Sequence, residues 1–123
     1  LNESFTALNK AWCTETNASD ILPFQAEIVE ELQGQLTDQQ ELIDQKVEDG
    51  REEEYFAISL YQMDIERVRY SLARYLRTRI LKIERNLEYI LSSIDVMDRL
   101  SMNEKVFATK LNNLNNIYFE DNV

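Results

Sequence analysis

The sequence predicts an all-α fold, a helical bundle of about four helices with one long central helix. Only two glycines and one proline occur in 123 residues, too few for the turns of a sheet protein. From Ile58 to Ile94, through Ile65, Leu72, Ile80 and Leu87 among others, eleven apolar residues step by three or four without a miss. Ser101 and Glu104 form the S-x-x-E box that opens a helix.

The elements follow in order. Phe5, Leu8 and Trp12 share one helical face, which predicts a first helix over about residues 3–14. The polar stretch TETNASD then reads as a loop, in which Ser19 or Asp20 caps the next helix and Pro23 sits near its first turn, where the missing N–H costs nothing. From Phe24 to about Val47 the residues Ile28, Val29, Leu32, Leu36, Ile43 and Val47 recur with helical period, and Gly34 interrupts them at about 1 kcal/mol relative to alanine. EDGREEE, Glu48 to Glu54, breaks the period and reads as a solvated connection. The third helix, from Ile58 to Ile94, spans roughly 60 Å at about 1.5 Å per residue, so part of it projects toward something else or it kinks. A fourth, opened by Ser101, carries Val106, Phe107, Leu111, Leu114 and Tyr118.

Composition excludes several functions. The net charge is −10, with 14 acids against 3 bases in residues 1–54 and 9 against 10 in residues 55–123. Such a field disfavours general affinity for phosphate backbones or anionic membranes. No apolar run approaches the roughly 18 residues of a membrane span. The single Cys13, beside Trp12, reads as a packed thiol in a reducing, intracellular compartment. The chain starts at Leu1 rather than Met and is read as one helical domain, residues 1–123, from a longer protein. There is no histidine, and two isolated glycines build neither a phosphate-binding loop nor a dinucleotide fingerprint. Paired acids such as Glu30 and Glu31 read as a solvated face. No enzyme site, cofactor or metal is expected.

The cations pose the sharper question. Seven of thirteen lie between Glu66 and Arg85. On a wheel at about 100° per residue with Leu72 at zero, Arg79 falls at about −20°, inside the apolar stripe, and Arg69 on its margin at about 60°. An arginine there must be paired or must reach the surface along its aliphatic stem, and Arg79 is read as a structural buried ion pair with a carboxylate of the acidic second helix. Arg67, Arg74, Arg77 and Arg85 lie within about 40° of the opposite side, together with Met63, Tyr70 and Leu81. Arg, Tyr and Met are the types that interfaces concentrate, so these seven residues are read as a partner interface. The alternative is a nucleic-acid-binding helical domain placing Arg67, Arg74, Arg77 and Arg85 on phosphates.

Three stretches also carry a resemblance. AWCTETNASDILPFQAEIVEEL (Ala11 to Leu32), YQMDIERVRYSLARYLRTRILKIER (Tyr61 to Arg85) and LSMNEKVFA (Leu100 to Ala108) resemble the helical domain of the Sld-five subunit of the eukaryotic GINS complex. The matching features are the Ala-Trp near the start, the Leu-Pro-aromatic-Gln opening of the second helix, and the Gln-Met-acid-aliphatic-Glu-Arg run. The Tyr-Leu-Arg-x-Arg-aliphatic-x-Lys-Ile-Glu block completes them. The resemblance implies a non-catalytic structural subunit in DNA replication, located in the nucleus. Its implied partners are the other GINS subunits and, in the larger replicative helicase assembly, the MCM helicase and the Cdc-forty-five protein. Direct DNA contact is expected to be weak or absent, and no membrane is involved. Family members continue into a small β-rich domain that nothing after Phe119 supplies, and Asn-Ala-Ser-Asp before Ile21 replaces a shorter, Pro-containing segment.

Overall fold

A computed structural model describes residues 2–121, with side chains over residues 3–118. The described residues form α1 (Asn2–Asn17), α2 (Ala26–Asp49), a 3-10 turn (Glu52–Glu54), α3 (Tyr55–Arg85), α4 (Leu87–Ser92), α5 (Ile94–Met97) and α6 (Met102–Asp121), with no strand among them. The fold is all-α, as expected.

The boundaries differ from the sequence expectations in instructive places. α1 extends to Asn17, taking Thr14 to Asn17 out of the expected loop. Residues 18–25 are irregular, and Pro23 precedes α2 rather than sitting in its first turn. Asp20 does not cap α2: its Oδ1 accepts the N–H of Ile21 at 2.8 Å. Gly50 ends α2 with φ 65°, a left-handed value that glycine adopts without penalty, and its N–H returns to Val47 O at 3.1 Å.

The expected third helix is three helices. α3 ends at Arg85, roughly 46 Å from its start at about 1.5 Å per residue. Asn86 takes φ −120°, ψ 31°, and its side-chain amide donates to Lys82 O at 3.2 Å, the local competition that disfavours asparagine inside helices. Ser93 is extended and separates α4 from α5. The apolar period survives the first break, with Leu87 and Ile90 buried, but not the second: Ile94 is 81% exposed.

The chain divides into two compact units, one comprising residues up to Trp12 with Gln25–Tyr75, the other Cys13–Phe24 with Leu76 onward. The first buries Leu8, Val29, Leu32, Leu36 and Ile43, and the α3 residues Ile65, Val68, Leu72 and Tyr75. The Tyr75 hydroxyl accepts the N–H of Gln25 at 3.1 Å, satisfying a polar tip in an otherwise apolar site. In the second, Ile21, Ile83, Leu87, Ile90, Val96, Leu100 and Ala108 make one core, with Leu91, Met97, Phe107 and Leu111 packed against it. The inner face of α6 is therefore Glu104, Phe107, Ala108 and Leu111, whereas Val106, Leu114 and Tyr118 face outward. Cys13 is exposed, which corrects the expectation of a packed thiol: it follows Trp12 on the rim of α1, off the face that Leu8 and Glu15 bury.

Candidate functional site

The arginine-rich part of α3 sorts into buried and outward residues. Arg79, in the second unit, is 0% exposed, beside Glu15 at 1% and Glu104 at 4%. Its Nε donates to Glu104 Oε2 at 2.8 Å and its Nη2 to Glu104 Oε1 at 2.9 Å, a bidentate fork. Nη1 donates to Glu15 Oε1 at 2.8 Å and to Leu22 O, and Nη2 also to Arg99 O at 3.0 Å. These bonds use all five guanidinium donors, the condition for burying arginine without a large penalty. Phe24 lies 5.3 Å from the guanidinium carbon by its ring centroid.

The expected ion pair is present, but its carboxylates come from α1 and α6, not from the second helix. Glu15 lies one residue past the expected end of the first helix, on the face set by Leu8, so running that face one turn beyond Trp12 locates it. Lys82 is an addition that the wheel did not single out. Its ammonium reaches Glu15 Oε2 at 2.6 Å, the Glu15 carbonyl and Asp20 O at 3.1 Å. Two cations and two carboxylates thus balance in the buried cluster. Glu104 serves a second role, because Oε1 accepts the N–H of Ser101 at 2.9 Å while Ser101 Oγ accepts the N–H of Glu104 at 3.2 Å, completing the capping box.

Beside this cluster Asp20 Oδ2 receives Arg99 Nη1 at 3.1 Å and the Tyr89 hydroxyl at 3.2 Å. Burial pushes its carboxyl up, but the bonds from Arg99, the Ile21 N–H and Tyr89 together outweigh that and hold it below the ordinary value.

The seven residues expected to meet a partner stand as follows. In the first unit Met63 and Tyr70 are 67% and 64% exposed. Arg67 is exposed, pairs with Asp64 at 3.6 Å and stands 5.0 Å above the Phe5 ring. Arg74 is half-buried, 3.7 Å from the Trp12 ring centroid and donating to Asn9 Oδ1 at 3.2 Å. Phe5, Asn9 and Trp12 recur at i, i+4, i+7 along α1, so one α1 face takes up both arginines. In the second unit Arg77, Leu81 and Arg85 are exposed, and neither arginine makes an ion pair among the described residues. Arg69, on the stripe margin, is exposed and pairs with Glu66 at 3.4 Å.

No group of three or more metal-ligating side chains gathers among the described residues, and no helix there is long and apolar enough to cross a membrane. What the arrangement offers is a helix that buries one arginine with its counter-charges and presents apolar and aromatic side chains outward.

Comparison with known proteins gives the following similarities. Residues 24–121 match the sequence family described as Sld5, GINS complex protein helical bundle domain. The chain is 40% identical over 103 residues to the DNA replication complex GINS protein SLD5 of Arabidopsis thaliana, covering 84% of this chain and 46% of that protein. The Mus musculus protein of the same name is 35% identical over 111 residues (86% and 48% covered), and that of Schizosaccharomyces pombe 32% over 99 residues (80% and 46%). The chain spans about half the length of these curated relatives.

Proposed function

Because the chain belongs to the Sld5 helical-bundle family of GINS complex proteins, we propose that it is a non-catalytic structural part of a GINS complex in DNA replication. In this reading it acts in the nucleus, packing by its helices against the other GINS subunits. Through them it supports the replicative helicase assembly with the MCM helicase and the Cdc-forty-five protein. It needs no cofactor and makes little or no direct contact with DNA.

The observation that carries the reading is the outward exposure of Met63 and Tyr70 on α3, among arginines rather than lysines. Water gains nothing from a large thioether and a phenol ring on a helix face, whereas a partner helix that covers them buries substantial apolar area. Leu81 and Arg85 offer the same chemistry in the second unit. The phosphate-binding alternative is weakened by Arg67 and Arg74, whose guanidinium carbons stand over α1 aromatic rings at 5.0 and 3.7 Å from the centroids.

Co-expression tests the reading. The chain should co-purify with the other GINS subunits as a complex of defined mass, and its solubility alone should be poorer. A monodisperse, stable chain that ignores those subunits would overturn it.

A further inference from the structure

A second feature, in the first unit, adjoins the arginine face at Met63. Between the last turns of α2 and the first turns of α3 lies an apolar groove of about 650 Å³. Ile43 and Ile58 line it, and Val47 and Met63, 54% and 67% exposed, form its lips. Asp44 and Glu66 line it as well, each receiving a hydrogen bond from a glutamine of the groove: Gln40 to Asp44 at 3.1 Å and Gln62 to Glu66 at 3.3 Å. Both carboxylates are exposed at the groove, Asp44 without an ion pair among the described residues and Glu66 paired with Arg69 at 3.4 Å. Residues 38–66, which include every lining residue, carry ten acids and two bases, so most of the chain's excess negative charge belongs to this segment.

We propose that this groove docks a basic amphipathic helix of a protein partner. Two antiparallel-connected helix ends with aliphatic lips present the trough that receives apolar side chains at i, i+3 or i+4, and i+7 of an incoming helix. The acidic surround selects its flanks: a helix with lysine or arginine beside the apolar stripe gains attraction at encounter and in the bound state, whereas an acidic helix is repelled. Nucleic acid is repelled by the same field. A second copy would bring the same acidic segment toward its own likeness. This inference does not depend on the reading of the arginine face, with which the groove shares only Met63.

The test uses the 123-residue chain and two fluorescein-labelled probes of about 18 residues, one of leucine and lysine, one of leucine and glutamate, both with helical apolar spacing. The leucine–lysine peptide should bind at about micromolar Kd and the leucine–glutamate peptide at least about tenfold more weakly. Amide resonance shifts on binding should centre on Val47, Ser59 and Gln62. Val47→Arg, at an exposed position, should leave the melting temperature unchanged and weaken the lysine peptide by about tenfold or more, and Tyr70→Ala should not weaken it. The proposal is overturned by equal binding of the two peptides, by shifts centred outside the groove, or by an affinity that Val47→Arg leaves intact. A doubling of mass in the peptide-free chain that Val47→Arg abolishes would assign the groove to a second copy instead and overturn it too.

Discussion

Glu104 meets Arg79 with both carboxylate oxygens, Oε2 on Nε at 2.8 Å and Oε1 on Nη2 at 2.9 Å, while the same Oε1 closes the first turn of α6 through the N–H of Ser101. One side chain therefore neutralises a buried guanidinium and satisfies an orphan helix donor. The coupling explains why a residue of the capping box is 4% exposed when most such glutamates lie in water.

Arg79→Ala should destabilise the fold by about 3–5 kcal/mol, because Glu104 stays buried with no counter-charge and the Leu22 and Arg99 carbonyls lose their donors. Arg79→Lys should recover little of that, since one ammonium does not replace a planar fork that serves four acceptor groups. Denaturant unfolding of both variants decides the matter. A loss below about 1 kcal/mol for the alanine variant would mean that water reaches the cluster.

A double-variant cycle separates pairing from packing. Arg79→Met alone leaves Glu104 charged and unpaired, and Glu104→Gln alone leaves Arg79 with Glu15 only. Together they remove one charge of each sign and leave Lys82 with Glu15 as a neutral pair. The double variant should thus be more stable than the sum of the single losses predicts, by about 1–3 kcal/mol. Strict additivity would show that the two side chains do not act as a unit.

Asp20 supplies a pH signature. Its folded-state pKa is lowered, so its stabilising contribution is complete above the unfolded value, about 3.9, and is lost as pH falls through the folded value. Asp20→Asn should lower the melting temperature at neutral pH and match the parent at strongly acid pH. The side chain is 44% exposed, so solvent screening keeps the difference at or below about 1 kcal/mol. A gap between the two proteins that persists unchanged into acid would remove the carboxylate as its cause.

Much of this architecture was legible in the residues, for reasons that also mark where legibility stopped. Arg79 announces itself because a cation inside a stripe of Leu72, Leu76 and Ile83 must either be paired or reach the surface along its aliphatic stem. Which carboxylates meet it is a tertiary fact, and the abundance of acids in α2 points the wrong way. Glu15 was hidden by a helix end set too early, where Thr and Asn lower helical propensity without stopping the helix. The break at Asn86 leaves the apolar spacing in phase through Ile90, and Ile94 keeps that spacing in sequence although the break at Ser93 turns it outward, so period alone reveals neither. The engagement of Arg67 and Arg74 needs the phase of α1 against α3, which no single-helix wheel contains. Phe5 and Trp12 carried the signal only as an aromatic pair seven residues apart.

Duplex DNA binding should be weak and shallow in salt. Four free phosphate contacts would give a log–log slope of about −3.6, but with Arg67 and Arg74 held on aromatic rings only Arg77 and Arg85 remain, for about −1.8. Anisotropy titrations over a range of ionic strength measure it. Micromolar affinity at physiological salt with the steeper slope would establish phosphate binding by the full arginine set.

The outward face of α3 should separate partner capture from folding, and the choice of variant follows from what each side chain touches. Arg74 is unsuitable alone, because stacking on Trp12 and bonding to Asn9 give it a share in stability of about 1–2 kcal/mol. Tyr70 and Leu81 are exposed, and truncating them removes area that only a partner buries. Tyr70→Ala with Leu81→Ala should leave helicity unchanged and shift the melting temperature by no more than a surface substitution does, while reducing co-purification of the other GINS subunits several-fold. Arg79→Ala should do the reverse in order of cause, losing thermal stability first and partners only as the fold fails. Circular dichroism melting beside co-purification yield reads both. If the Tyr70 and Leu81 double variant melts as low as the Arg79 variant, or holds its partners at full yield, the outward face is not where the partner sits.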